Sequence, residues 1–145
     1  MPLTPSANFA SPDDVEHAFY EILATGDAEQ LTKLWAEDEE SLCVHPTGAR
    51  LTGLGPIRDS WRSIFGNAKL RVRAEPIAHW QGSVLAIHHL METLFVDDDP
   101  TPHGPLHVTH VYALGPHGWR LVARHASAAD DSHQAMAEGA SHTLH

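Results

Sequence analysis

The sequence LCVHPTGARLTGLGPIRDSWRSIF, residues 42–65, carries the clearest structural signal in this chain. Residues 42–45 predict a short strand, and the Pro, Thr and Gly residues that follow predict a turn. A helix is predicted next, because apolar residues recur with helical spacing at Ile57, Trp61, Ile64 and Phe65. His45 then lies where a strand ends in a loop, a place where side chains are held by rigid elements and stay accessible. We interpret His45 as a candidate functional residue; the alternative is a surface histidine in a turn.

Two amphipathic helices are predicted ahead of this segment. Ser11 can cap the first helix, with Pro12 at its first position and Asp14 three residues after the cap. Gly26 ends that helix, and Asp27 can cap a second one. The residues expected to face inward are Val15, Phe19, Ile22 and Leu23 in the first helix and Leu31, Leu34 and Trp35 in the second.

The chain changes to strand-like alternation after Gly66 and Asn67, which end the third helix. Strands are predicted over residues 70–75, 83–96, 106–114 and 119–127. We expect Arg71, Arg73 and Glu92 on the outer face of the resulting sheet. Three helices followed by strands in hairpin succession predict an α+β domain, in which a strongly curved antiparallel sheet is covered on one side by the three N-terminal helices.

The last hairpin can be predicted at the level of individual residue pairs. The expected pairs are Leu114 with Trp119, Tyr112 with Leu121, His110 with Ala123, Val108 with His125, and Leu106 with Ser127. These residues share the more apolar side of the sheet, so we expect that side to meet the helices and Arg124 to lie on the opposite side. His110 and His125 would then be diagonal neighbours that line a cavity. The alternative is a pair of core histidines satisfied by Ser127, Thr109 or backbone groups.

Composition limits the class of protein. The chain has 145 residues, of which 42% are hydrophobic and 19% charged, and this fits one globular domain. We expect a flexible arm over residues 1–10, a single domain over 11–127 and a flexible tail over 128–145. No long apolar run and no basic segment followed by an apolar stretch is present, so a cytoplasmic location is expected. The single cysteine, Cys43, agrees with a reducing compartment.

The charge of the chain argues against two classes of partner. A formal net charge of -10 at pH 7 disfavours nucleic acid, which is bound largely through Lys and Arg. No basic helix is available for an anionic membrane. The chain has 13 histidines, but His107 and His110 have opposite strand parity, and no cysteine or carboxylate motif completes a metal site near His88, His89 or His103. We therefore predict neither a metal nor a cofactor.

The order of elements and three segments resemble a known family. The segments are GDAEQLTKLWAEDEE (26–40), HPTGARLTGLGPIRDSWRSIF (45–65) and HVTHVYALGPHGWRLVARHAS (107–127). They resemble the SnoaL-like branch of the nuclear-transport-factor-two-like superfamily, which includes ketosteroid isomerases as well as dehydratases, cyclases, epoxide hydrolases and binding domains. The resemblance covers about residues 11–127. It implies a cone-shaped, cystatin-like fold around one apolar pocket, and a homodimer formed through the outer face of the sheet.

The resemblance to the ketosteroid isomerases carries over only in part. It places the general base at His45, whose ordinary pKa near 6.5 suits proton abstraction at neutral pH, and the hydrogen-bonding acid at His110. The tyrosine that stabilises the oxyanion in that family falls on Phe19. Tyr20 lies about 100° further around the helix and is expected to point elsewhere. Steroid isomerisation by the family's own machinery is therefore not expected.

Two classes of function stay open. In the first, the protein is a cofactor-independent isomerase or lyase in which His45 removes a proton next to a carbonyl group, while His110 and His125 stabilise the developing oxyanion. In the second, it is a non-catalytic binding or sensing domain whose histidines only orient a ligand. Either way we expect a small, partly apolar organic ligand in a pocket. The residues expected to contact it are Phe19, Trp35, Trp61, Phe65, Met91, Val108 and Ala123.

Overall fold

A computed structural model of the protein describes residues 8–129. Over this range the elements follow one another as α1 (Pro12–Thr25), α2 (Ala28–Thr32), β1 (Leu42–Val44), β2 (Arg50–Thr52), α3 (Leu54–Asn67), β3 (Leu70–Gln81), β4 (Leu85–Val96), β5 (His103–Gly115) and β6 (Gly118–Ala128). The strands form one sheet in the order β2-β1-β6-β5-β4-β3. All neighbours are antiparallel except β1 and β6, which are parallel. The predicted α+β class is confirmed, and the sheet is mixed because β1 joins it from between two helices.

The first helix begins and ends where the sequence signals place it, whereas the second begins at its predicted cap but ends before Leu34 and Trp35, which were predicted to lie in it. Ser11 Oγ accepts a hydrogen bond from the backbone N–H three residues on at 3.1 Å, and Asp27 caps α2 in the same way at 3.0 Å. Gly26 closes α1 at φ 73°, a left-handed conformation that glycine adopts without strain. α2 stops at Thr32 because the next residues turn and pair with Leu121 of β6. Over residues 8–129, none of the helices has the length and apolarity needed to cross a membrane.

The hydrophobic core lies between the helices and the inner face of the sheet. Its main side chains are Val15, Phe19, Leu23, Leu31, Leu34, Trp35, Cys43, Ile57, Trp61, Tyr112 and Leu121. Trp35 Nε1 donates to the carbonyl oxygen of Leu42 at 3.0 Å and so ties the segment after α2 to β1. A smaller cluster extends the core along the sheet through Leu90, Leu106, Val108 and Ala126.

The predicted register of the last hairpin is correct next to the turn and wrong beyond it. The confirmed pairs are Leu114 with Trp119 and Tyr112 with Leu121. A β-bulge then inserts Val122 as an extra residue, so that His110 pairs with Arg124 instead of Ala123. Because side chains alternate along a strand, the insertion turns Arg124 to the inner face and His125 to the outer face. The predictions that Ala123 and His125 face the helices are therefore wrong.

The inner face of β4 is the opposite of the predicted one. Its buried residues are Ala86, His88, Leu90 and Glu92. Met91, expected in the pocket, lies on the outer face opposite His107. Glu92, expected outside, is 1% exposed. The alternation of Leu85, Ile87, Met91 and Phe95, which predicts an inner face made of these residues, misleads here because the actual inner face of β4 carries polar groups that find partners in α1 and β6.

The ends of the described region differ from the predicted boundaries. Phe9, expected in a flexible arm, pairs with β6: its carbonyl oxygen accepts a hydrogen bond from the backbone N–H of Trp119 at 3.0 Å. β6 continues to Ala128, one residue beyond the predicted domain end. The rest of the predicted arm (1–7) and most of the predicted tail (130–145) lie outside the described residues.

Candidate functional site

A cavity of about 210 Å³ lies between α3 and the inner face of the sheet. Its walls are mainly apolar. The lining residues are Leu23, His45, Pro46, Trp61, Ile64, Leu70, Val72, Glu92, Leu94, Leu106 and Arg124. Of the residues predicted from sequence to form the site, His45 and Trp61 are the two that line this cavity.

His45 is half-buried and directly follows β1. Its Nε2 is 2.9 Å from Ser60 Oγ, which itself donates to the carbonyl oxygen of Ile57 at 2.9 Å. Because the hydroxyl has a single hydrogen, Nε2 has to be the donor to Ser60, and the lone pair of the ring is left on Nδ1. Burial, and then the positive charge of Arg124, lower the pKa of His45. The ring is therefore neutral at pH 7, the form that can accept a proton.

An ion pair lines the cavity on its sheet side. Arg124 Nη1 and Nη2 donate to Glu92 Oε2 and Oε1, both at 2.9 Å, and both side chains are buried. Burial raises the pKa of Glu92, but the charge and the hydrogen bonds of Arg124 lower it more, so that the net shift is downward. For Arg124, burial lowers the pKa and Glu92 raises it more strongly. The pair is therefore fully charged and internally neutralised.

Tyr20 reaches this ion pair, contrary to the prediction that it points elsewhere. Its O–H donates to Glu92 Oε2 at 2.6 Å. Burial, followed by the negative charge of Glu92, raises the pKa of Tyr20, so the phenol keeps its hydrogen. Tyr20 follows the fully buried Phe19 in α1, and its phenol is long enough to reach Glu92 on the sheet from that position.

His110 lies behind the ion pair and is not among the residues that line the cavity. Its Nε2 is 2.9 Å from Arg124 Nη1 and has to be the acceptor, because a guanidinium only donates. Nδ1 then carries the hydrogen and donates to Tyr112 Oη at 2.8 Å, and Tyr112 donates to Glu16 Oε1 at 3.0 Å. Burial lowers the pKa of His110 to about 4, although the hydrogen bond to Glu16 raises it. His110 is therefore neutral and positions Arg124; it has no free hydrogen for a ligand.

Cys43 is close to His45 but is not a nucleophile. Its Sγ lies 3.9 Å from His45 Nε2. Burial raises the pKa of the thiol to about 11, although the charge of Arg124 lowers it. A protonated, buried thiol is inert, so this contact is packing and not a catalytic pair.

The other predicted ligand-binding residues lie outside the cavity. Phe19 and Phe65 support its walls: the Phe19 ring lies 4.9 Å from the guanidinium carbon of Arg124, and Phe65 stacks on Trp61 with ring centroids 5.6 Å apart. The residues farther away are Trp35 and Val108, buried in the core, and Met91, Ala123 and His125, which face the outer side.

Sequence reasoning missed the polar side of the cavity, namely Arg124 and Glu92, and the Tyr20 hydroxyl that donates to Glu92. One signal for it was available. Glu16 and Tyr20 are four residues apart in α1, so they share one face of the helix. This polar face lies next to the apolar face formed by Val15, Phe19 and Leu23. The polar face predicts polar partners on the facing strands.

Comparison with known proteins agrees with this fold. Residues 13–131 match the SnoaL-like domain. A candidate calcium/calmodulin-dependent protein kinase type II association domain from Thiobacillus denitrificans is 30% identical, with 85% of this chain and 98% of that chain covered and a TM-score of 0.79. A candidate dehydratase of the NTF2-like family from Streptomyces avermitilis is 24% identical, with 80% and 91% covered and a TM-score of 0.71.

More distant structures share the fold alone. An NTF2-like protein with a cystatin-like fold from Novosphingobium aromaticivorans is 21% identical, with 86% of this chain and 83% of that chain covered and a TM-score of 0.68. No curated protein matches the chain. The comparisons therefore establish the fold and the family, and leave the ligand to be inferred from the cavity.

Proposed function

We propose that the chain, which belongs to the SnoaL-like domain family of the nuclear-transport-factor-two-like superfamily, binds a small, neutral and mainly apolar organic molecule in the cavity beside His45 and Trp61. The cavity carries this proposal, because it is walled by apolar side chains and has a volume of about 210 Å³. At roughly 30 Å³ per water, it has room for about seven waters and so for a ligand of about ten non-hydrogen atoms or fewer. Pockets that hold drug-sized ligands measure roughly 300–1,000 Å³, so this cavity is too small to enclose a steroid.

The charge state of the cavity supports a neutral ligand. Arg124 and Glu92 cancel each other, and the lowered pKa of His45 keeps that ring uncharged at neutral pH. A carboxylate or an ammonium group would lose its hydration without gaining a counter-charge that is free to pair with it. Apolar contact therefore supplies most of the affinity.

The test of binding fills the cavity with a side chain. Val72 lines the cavity, and Val72→Phe adds volume inside it, whereas Val84→Phe makes the same change at a position that is 60% exposed. We expect saturation-transfer NMR to detect binding of toluene and cyclohexanone to the parent chain and to Val84→Phe, and to detect none to Val72→Phe. Equal signals from the two variants, or no signal from the parent chain, would contradict the proposal.

Proton transfer by His45 is a second candidate function. The observation that favours it is that His45, a neutral ring whose Nδ1 keeps a lone pair, lines a cavity with room for a small carbonyl compound. The test follows exchange of the α-protons of cyclohexanone with deuterated solvent by NMR. We expect His45→Gln to lose the exchange that the parent chain catalyses and His125→Gln, on the outer face, to keep it; equal exchange in all three leaves a binding protein without catalysis.

We also propose that two copies of the chain associate through the outer face of the sheet. Apolar side chains are exposed there, including Trp80 at 56% and Ile87 at 38%, which face each other on β3 and β4. Exposed apolar groups grouped on one face are typical of surfaces that pack against a partner.

A further inference from the structure

Four side chains with metal-binding atoms meet outside the cavity, between α1 and the β3–β4 hairpin. Asp13 and Glu16 are three residues apart near the start of α1, so they lie on one side of the helix. His79 and His88 are directly opposite each other on β3 and β4. One ligand atom from each of the four lies within 4.8 Å of all the others. The sequence does not predict this group, because its members come from three separate elements.

The distances in the cluster are close to those of a chelating site. Asp13 Oδ1 is 3.9 Å from His79 Nδ1 and 4.0 Å from His88 Nε2. Ligand atoms bound to a tetrahedral zinc ion at about 2.0–2.2 Å are themselves about 3.4 Å apart. Closing these gaps therefore takes movements of roughly half an ångström, and the Asp13 side chain, which is 73% exposed, is free to make them.

One of the two rings has to turn for both to face a single ion. His79 and His88 stack with centroids 3.7 Å apart and 8° between their planes, whereas an imidazole nitrogen binds metal in the plane of its ring. The His88 side chain is 1% exposed and held, but that of His79 is 39% exposed and can rotate. Binding should therefore replace the stacked arrangement.

Glu16 prepares His88 for this role. Glu16 Oε1 is 2.8 Å from His88 Nδ1 and also accepts the O–H of Tyr112 at 3.0 Å. The ionised carboxylate keeps a hydrogen on His88 Nδ1, so Nε2 can direct its lone pair towards Asp13. Carboxylates that hold the second nitrogen of a histidine in this way are common behind metal ligands.

We propose that Asp13, His79 and His88 bind a first-row divalent transition-metal ion such as Zn²⁺, with Glu16 as a positioning residue for His88. Two imidazoles and one carboxylate suit Zn²⁺, Co²⁺ or Ni²⁺, whereas Mg²⁺ and Ca²⁺ prefer oxygen ligands alone. A cleft of about 220 Å³ opens beside the cluster and is lined in part by Asp13, Glu16 and Tyr20. Water in this cleft can complete the coordination.

The test titrates the full, metal-free chain with Co²⁺, followed by its visible absorption, and then displaces Co²⁺ with Zn²⁺. We expect one saturable site per chain in the parent protein and its loss in Asp13→Asn and His79→Ala, both at exposed positions that the fold tolerates. Glu16→Gln should weaken Co²⁺ binding by roughly 10- to 100-fold. In NMR spectra, the ring signals of His79 and His88 should shift together at one equivalent of Zn²⁺, because the stacked pair separates.

The control addresses the other histidines, since the chain has 13. His89 Nε2 and His107 Nδ1 are 3.2 Å apart on the outer face and form a second pair of contacting imidazoles. We expect the His89→Ala, His107→Ala double variant to keep the Co²⁺ affinity of the parent chain. Absence of saturable binding at millimolar Co²⁺, or binding that survives in Asp13→Asn and His79→Ala, would overturn the proposal.

Discussion

Replacing Arg124 by methionine tests how much the buried ion pair contributes to the fold. The change removes three hydrogen bonds of 2.9 Å, two to Glu92 and one to His110 Nε2. It leaves Glu92, 1% exposed, with Tyr20 as the donor that remains in contact with it. Removing one partner of a buried ion pair costs about 3–5 kcal/mol. We expect R124M to lose that much free energy of unfolding in urea denaturation at pH 7. The double variant E92Q/R124M, which has neither charge, should regain most of the loss.

The pH dependence of R124M has a definite sign. In the parent chain the folded pKa of Glu92 is below the unfolded value of 4.5, so its contribution is present above that pH and is lost as the pH falls through the folded pKa. Without Arg124, burial raises the pKa of Glu92, and the carboxyl group takes up a proton at a higher pH. The difference in stability between the parent chain and R124M should therefore shrink as the pH is lowered from 7 towards 5.

A surface ion pair supplies the matched control. Arg62 pairs with Glu29, and their side chains are 55% and 50% exposed. Exposed pairs contribute about 0–1 kcal/mol, so R62M should cost little. The assignment of a strong buried pair is wrong if R124M costs no more stability than R62M. It is also wrong if E92Q/R124M loses as much stability as the single variants E92Q and R124M lose in sum.

Three further predictions concern other parts of the molecule. As the pH falls from 6.5 to about 4, the parent chain should lose about 3 kcal/mol of stability, because His110 binds a proton in the unfolded chain and not in the folded chain. In urea denaturation, His110→Asn should make stability depend less on pH over this range. An unchanged pH dependence would contradict the prediction. Tyr20→Phe removes the donor to Glu92 and should cost about 1.5–3 kcal/mol at pH 7 in the same assay, and a loss near zero would show that the 2.6 Å hydrogen bond is not maintained. Ile87→Glu places a charge on the outer face and should convert a dimer into a monomer in light scattering, whereas a dimer that persists would place the interface elsewhere.

Local signals in the sequence were enough to predict the three helices and the strands other than β2, which lies in a segment predicted as a turn. The caps at Ser11 and Asp27 and the stop at Gly26 depend on residues within one helical turn, and they are found as expected. The hairpin register is also correct for the pairs nearest the turn between Gly115 and Gly118. Such features require no knowledge of what packs against them, so one sequence suffices.

The bulge in β6 could not be predicted in this way. Leu121, Val122 and Ala123 are all apolar, so the polar–apolar alternation that marks a skipped residue is missing there. The insertion depends on long-range pairing, because β6 is bonded to β5 on one side and to β1 on the other. A shift of one residue was enough to exchange the predicted positions of Arg124 and His125.

The candidate site was predicted where it depends on local structure and missed where it depends on charge pairing. His45 and Trp61 were expected because one ends a strand and the other lies on the apolar face of α3. Arg124 was expected outside because its strand parity was counted without the bulge, and Glu92 because the apolar residues of β4 were assigned to the inner face. Glu92 and Arg124 can both be buried because they neutralise each other. This pairing joins β4 to β6, so neither segment's sequence indicates it when it is read alone.

The row of hydrogen bonds from Arg124 through His110 and Tyr112 to Glu16 can run in one direction only. A guanidinium has no lone pair to offer and a carboxylate has no hydrogen to give, so each group between them has a single possible assignment. Since arginine keeps its protons at every pH at which the protein stays folded, no proton can enter this row at Arg124 and leave it at Glu16. The row therefore does not conduct protons. Its role is structural, because it links β6, β5 and α1 through side-chain hydrogen bonds of fixed direction.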